Sequence, residues 1–415
     1  MRDAQPPNGS HGTDRRSRPG SMLRPILTVI TLATAGSAVL LLGVGGVLAA
    51  VMAKTIVTPP ERRDDDTRVI AVDLAAGTVV LQRHRDSILP GEYSFFFSAS
   101  TGHARVGEII GRTRTSVTRR IVSIDYGDLG TARRGRFSGW LYTSPADLGL
   151  RWSDVAIPTV LGPAPAWLIP ADESKKDGGA RAVRPWVIQV HGRAVRREEA
   201  LRAIPVFHEA GYTSLLVSYR NDGEAPASHD GRYGLGDSEW PDVDAAIEYA
   251  VGHGATSIVL MGWSMGGAVV LQTLTRGVHQ GLIVGVVLES PVVDWSEVVA
   301  AQASDRNLPP LIARGAMTVM GSRWGTHVTG QAAPIDFRRL DFVARARDLH
   351  QPILLLHSDD DGFVPATGSR RLAGRRPDLV TLISFTQARH TKLWNYDPGR
   401  WNAAIAAWLS GLPKQ

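Results

Sequence analysis

The sequence has no cysteine. Disulfides, thiolate metal sites, a cysteine nucleophile and a lipid-modified cysteine are therefore excluded, and stability has to come from packing. No His-Glu-x-x-His pair and no glycine-rich phosphate loop occur, which removes the commonest zinc-hydrolase and nucleotide-binding patterns. The formal net charge is +6, yet no basic stripe interleaved with aromatics appears, so nucleic acid is not an expected partner. Half of that excess lies in the first 24 residues, where Arg2, Arg15, Arg16, Arg18 and Arg24 face only Asp3 and Asp14.

One stretch lacks charge altogether. From Pro25 to Ala53 the chain is dominated by Leu, Val, Ala, Ile and Gly, a run long enough to cross a bilayer as a helix. A signal-peptide core is shorter, about 7–15 residues, and ends in a small-x-small site that Val51-Met52-Ala53 matches poorly. The run is read as an uncleaved single-pass anchor over 25–53. Residues 1–24 then form a disordered basic tail on the cytoplasmic side and 54–67 a polar linker. The bulk of the chain is expected outside the cytoplasm.

What remains is ample for folding. At 415 residues, 43% hydrophobic and 21% charged, the chain can build one large domain or two smaller ones without staples. Residues 68–165 hold short alternating apolar runs (RVIAVDL, TVVLQR, YSFFFSA, RVGEIIG, RRIVSIDY) separated by turn residues, the pattern of a β-rich segment. Nothing in it has ligand or nucleophile spacing. It reads as a structural collar, with the framing of a substrate entrance as the alternative.

After Arg184 strands and helices alternate, and the strands are near-continuous apolar runs, as in a mostly parallel sheet covered by helices on both faces. Ligands on such sheets bind at the C-terminal strand ends. Three strand ends carry chemistry. The apolar run through Met261 leads into Gly262-Trp263-Ser264-Met265-Gly266, a G-x-S-x-G turn between a strand and a helix. PILLLHS leads into Asp359-Asp360-Asp361, and LVTLISF leads to His390. A nucleophile, an acid and a base follow one another in that order. His357, inside its strand, is expected to be a buried, satisfied histidine.

With these residues in place the chain resembles the α/β-hydrolase superfamily, from about Ala166 to the C-terminus. The resemblance implies that Ser264 is the nucleophile, that Asp361 of Asp361-Gly362-Phe363-Val364-Pro365 is the acid and that His390 is the base. It further implies an oxyanion hole from the N–H groups of Met265 and of Arg193, in His191-Gly192-Arg193. The Arg193 side chain is expected in solvent and His191 as a loop-shaping residue. The implied fold is an α/β-hydrolase domain over 166–415 with a cap insertion at about 291–351, whose Trp295, Leu311, Met317, Met320 and Trp324 are candidates to line an acyl pocket.

The implied activity is hydrolysis of a small-molecule ester or thioester through an acyl-enzyme, with no cofactor or metal. The alternatives are a serine peptidase or amidase of the same fold and, in a different class, a non-catalytic membrane-tethered binding protein.

Overall fold

A computed structural model describes residues 43–172 and 185–413 of the chain. The expected basic tail and the expected span as far as residue 42 lie outside the described residues. Among the described residues no helix is long and apolar enough to cross a membrane. The end of the apolar run is seen as a helix over 43–57. Its Ala49, Ala53 and Val57, spaced four apart on one face, are buried, the latter two in the larger hydrophobic core.

The β-rich segment closes into a six-stranded barrel in the order β1-β2-β5-β4-β3-β6. Its strands are β1 (Thr67–Asp73), β2 (Thr78–Gln82), β3 (Tyr93–Phe97), β4 (Gly102–Arg112), β5 (Ser116–Tyr126) and β6 (Arg134–Ser138). Closure removes the sheet edges and gives the inward residues Val79, Leu81, Tyr93, Phe95, Phe97, Val106, Val117 and Phe137 a core of their own. One charge sits inside it. Arg119 is fully buried, stacks on Tyr93 and Phe137, and donates to the carbonyls of Gly107, Ser87, Leu89 and Gly91 at 2.7–3.0 Å. The β2–β3 loop is thereby stitched to the barrel.

The second sheet has eight strands, ordered β14-β13-β12-β11-β9-β10-β8-β7. They are β7 (Ser153–Thr159), β8 (Gly162–Ile169), β9 (Pro185–Val190), β10 (Thr213–Val217), β11 (Ser257–Trp263), β12 (Ile283–Glu289), β13 (Ile353–Ser358) and β14 (Val380–Phe385). Six strands are parallel, and the hairpin β7–β8 joins antiparallel to β10. The expected boundary at 165/166 therefore falls inside β8. The barrel ends at Ser138, and the hairpin belongs to the sheet because Ile157, Ala164 and Ala166 point into the sheet's core.

β11 and β12 are buried along their whole length, and alternate residues serve two cores. Ile258 and Leu260 pack on one face; Val259, Met261 and Trp263 pack on the other. The expected linker is not free either. Arg63 donates to the Ala194 carbonyl, and Asp65 accepts from Ala99 N–H and the Arg136 guanidinium.

Replacing Arg119 by Met would leave four carbonyls without their donor in an apolar interior. The variant is expected to lose about 3–5 kcal/mol, read as a lowered denaturation midpoint in urea with far-ultraviolet circular dichroism as the probe; an unchanged midpoint would contradict this account of the barrel.

Candidate active site

The chain order reverses between β9 and β11, which are neighbours in the sheet although β10 lies between them in sequence. Their C-terminal ends open side by side, where ligands enter such sheets. Ser264 follows β11 with φ 51° and ψ −118° and starts the helix Met265–Arg276. A side chain is rarely held in this backbone region, and the surroundings enforce it. A Cβ on Gly262 would stand 2.7 Å from the Gly266 carbonyl oxygen, and one on Gly266 only 2.2 Å from that of Val190. Both positions have to be glycine for the helix to start so close to the sheet. Ser264 N–H donates to the Glu289 carbonyl at 3.1 Å.

Two loops meet the serine there. His390 Nε2 lies 3.0 Å from Ser264 Oγ, and His390 Nδ1 lies 2.8 Å from Asp361 Oδ2. With Nδ1–H given to the carboxylate, Nε2 is left to accept the serine proton. The histidine is fixed between Arg389 and Thr391, both left-handed at φ 61° and 48°. Asp361 Oδ1 accepts the N–H groups of Phe363 and Val364, each at 2.9 Å. Burial alone would push the Asp361 carboxyl up, but the His390 charge and the hydrogen bonds from His357 and His390 outweigh burial and hold it well below the usual carboxylate range.

The three adjacent acids are sorted by geometry. Asp359 turns outward to Arg370, while Asp360 accepts from Ser358 Oγ and Arg389 N–H. His357 is buried between Ser369 Oγ and the Val364 carbonyl.

His191, Gly192 and Arg193 follow β9. His191 stacks on Tyr219 at 4.3 Å and spans the Gly192 carbonyl and Asp222. Gly192 N–H donates to Glu199 at 2.8 Å. Arg193 departs from expectation. Its guanidinium is turned away from solvent, donating to the carbonyls of Thr55, Ile56 and Thr58 at 2.8–2.9 Å. The end of the 43–57 helix offers unpaired carbonyls, and one half-buried guanidinium satisfies several at once.

A cavity of about 420 Å³ opens onto Ser264 and His390. Its far wall is the exit of the barrel, Phe137 to Trp140, with Asp86 of the β2–β3 loop and Arg63. The expected cap does not contribute. Trp295 donates to the Leu235 carbonyl, Met320 is buried in the core, Met317 packs against that core, and Leu311 and Trp324 are 64% and 57% exposed. The insertion holds the helices Trp295–Asp305, Pro310–Met320 and Arg323–Thr329, which cover one face of the sheet. The barrel, read from sequence chiefly as a collar, supplies the wall instead.

Sequence reasoning also passed over Glu289. It is fully buried at the end of β12 and accepts from the indoles of Trp263 and Trp401 at 3.0 and 2.9 Å. A carboxylate ending an otherwise apolar strand, beside the G-x-S-x-G turn, was the available signal.

Residues 68–138 match a domain of unknown function, and no curated protein matches the chain. Among solved structures the chain is similar to an esterase from Pyrococcus furiosus, with 20% identity over 65% of this chain and 95% of that one and a TM-score of 0.49. It is similar to an esterase from Rhodococcus sp. ECU1013, with 20% identity over 63% and 100% and a TM-score of 0.41. A puromycin-hydrolyzing peptidase of Mycobacterium tuberculosis shares 16% identity over 85% of this chain and 52% of that one, with a TM-score of 0.47. Residues 190–404, more than half of the chain, match the model of the Alpha/beta hydrolase family, and the chain belongs to that family.

Proposed function

We propose that the protein is a serine hydrolase that cleaves a small carboxylic ester or thioester in two acyl-transfer steps. The observation that carries this reading is the serine–histidine–carboxylate line, Ser264 Oγ to His390 Nε2 at 3.0 Å and His390 Nδ1 to Asp361 Oδ2 at 2.8 Å. His390 takes the Ser264 proton as Oγ attacks the carbonyl carbon, and Asp361 holds the resulting imidazolium. The tetrahedral oxyanion lies between the N–H of Met265, at the start of its helix, and that of Arg193. Each such donor is worth about 3–4 kcal/mol in comparable sites. His390 then protonates the leaving group, and water, deprotonated by the same imidazole, releases the acid. A cavity of about 420 Å³ suits a small-molecule ester better than a folded polypeptide.

The same proposal includes attachment to a membrane, with the catalytic part outside the cytoplasm. It is supported by the charge-free run from Pro25 and the arginines before it. Because Ala53 and Val57 are in the protein core, the bilayer stretch would end before residue 49. Residues 25–48 as a helix reach about 36 Å, still sufficient to span.

Purified protein is expected to hydrolyse short p-nitrophenyl esters and to be labelled by a fluorophosphonate. Ser264→Ala and His390→Ala should lose labelling and at least about 10³-fold in kcat, and Asp361→Asn about 10⁴-fold. A wild-type protein that takes no label would end the hydrolase reading. A second outcome concerns Arg193. Removing residues 1–48 should leave labelling intact, whereas removing residues 1–58 frees the Arg193 guanidinium and should slow labelling at least tenfold; equal rates for the two truncations would separate the helix from the oxyanion loop. Protease treatment of intact spheroplasts should digest the catalytic domain, and protection until lysis would reverse the topology.

A further inference from the structure

The cavity over Ser264 carries an unbalanced charge. Four cations line it, Arg63, Arg193, Arg389 and Lys392, against two carboxylates, Asp86 and Glu199. Glu199 is already engaged, accepting Gly192 N–H and lying 3.9 Å from Arg202. Asp86 serves two cations at once, Lys392 Nζ at 2.9 Å and Arg389 Nε at 3.6 Å, and Arg389 Nε makes no hydrogen bond.

Arg63 and Arg193 have only neutral acceptors among the described residues. Arg193 gives its protons to the helix-end carbonyls, and Arg63 gives Nε–H to the Ala194 carbonyl at 2.8 Å while stacking on Trp140 at 5.3 Å. Burial, with the nearby Arg136 charge, pushes the Arg63 guanidinium down to about 10. A guanidinium with five donors and one carbonyl partner, half-buried and opposed by a single nearby carboxylate, Glu199, that already holds Gly192 N–H, is costly to keep. An anion in the cavity would offset that cost.

We propose that the ester cleaved here carries an anionic oxygen group, a carboxylate or phosphate, and that Arg63, with Arg389 and Lys392 opposite Asp86, recognises it. This rests on the hydrolase reading above. Arg63 reaches the cavity beside the oxyanion loop through Ala194, and Arg389 and Lys392 flank His390, so the anion is held within a few atoms of the scissile carbonyl. Arg63 determines specificity and takes no part in proton transfer.

The test is a pair of ratios. Mono-p-nitrophenyl glutarate is compared with p-nitrophenyl valerate, and 4-acetoxybenzoate with phenyl acetate, each by its kcat/KM measured above the enzyme-free background. The first pair places the charge on the acyl side, the second on the leaving group. Wild-type protein should favour the anionic member of at least one pair about tenfold or more. Arg63→Gln should reduce that preference about tenfold, and Arg63→Lys should retain part of it. Should Arg63→Gln fold poorly, Arg389→Gln and Lys392→Gln are read by the same ratio, in which any general loss of rate cancels. Protein that takes the fluorophosphonate label and cleaves the neutral esters, but prefers them in both pairs, overturns this inference alone. A preference for the anionic ester that survives all three glutamine substitutions also overturns it. Protein that takes no label and cleaves none of the four esters overturns the hydrolase reading and this inference together.

Discussion

The carboxylate of Glu289 joins parts of the chain that have no other reason to meet. The Glu289 backbone carbonyl takes the Ser264 N–H, and its side chain takes the indole of Trp263, the residue before Ser264. Leu393 N–H, three residues after His390, approaches at 3.3 Å, and Trp401 in the last helix completes the shell at 2.9 Å. One buried anion thus sets the height of the serine turn relative to the histidine loop. The 3.0 Å contact between Ser264 and His390 depends on both loops being referred to this common point. Removing one partner from such a group costs several kcal/mol, because the charge left behind stays desolvated.

Arg202 carries the same network outward. It lies 3.7 Å from Glu289 and 3.9 Å from Glu199 and donates to the Gly139 carbonyl at 2.9 Å, where the barrel hands over to the sheet. Glu199 in turn holds Gly192 N–H. The barrel is fastened a second time through the β2–β3 loop, which Arg119 fixes from inside and whose Asp86 grips Lys392. Asn395 adds a bond to the Glu92 carbonyl. These contacts fall on residues 389–395, around His390, so the position of the barrel and the position of His390 are coupled. That coupling explains why the barrel, and not the helical insertion, forms the cavity wall.

The parallel sheet and the meeting of Ser264, Asp361 and His390 were legible in the sequence because each depends on local pattern. Apolar runs marked strands, two glycines marked a turn too tight for a Cβ, and the Val-Pro pair after Asp361 singled out one acid of three. The β-rich texture of residues 68–165 was equally plain, since alternation is also local, but alternation did not show that the barrel closes at Ser138. Illegible were the contacts made across long separations. Arg63 and Ala194 are 131 positions apart, Arg193 and Ile56 are 137 apart, and no spacing rule links them. For the same reason a polar stretch such as Thr58–Thr67 looks like a linker. Its charges gave no sign that they were aimed inward, and the cap residues gave no sign that their apolar faces were already taken by the sheet.

The contact of Arg193 with the helix over 43–57 changes what the N-terminal part of the chain is. The last carbonyls of a helix have no partners within it and carry the negative end of its dipole. The carbonyls of Thr55 and Ile56 in its last turn, and that of Thr58 just beyond it, receive one guanidinium. Tyr233 N–H takes a fourth, that of Val57, at 2.8 Å, and Tyr233 lies under the same guanidinium at 5.3 Å. Neither side of this arrangement is satisfied alone. Without the helix end, Arg193 is a half-buried cation with no acceptor; without Arg193, the helix ends on bare carbonyls against an apolar core. The segment after residue 48 is therefore a structural support of the loop that carries Arg193, and that loop lines the cavity over Ser264.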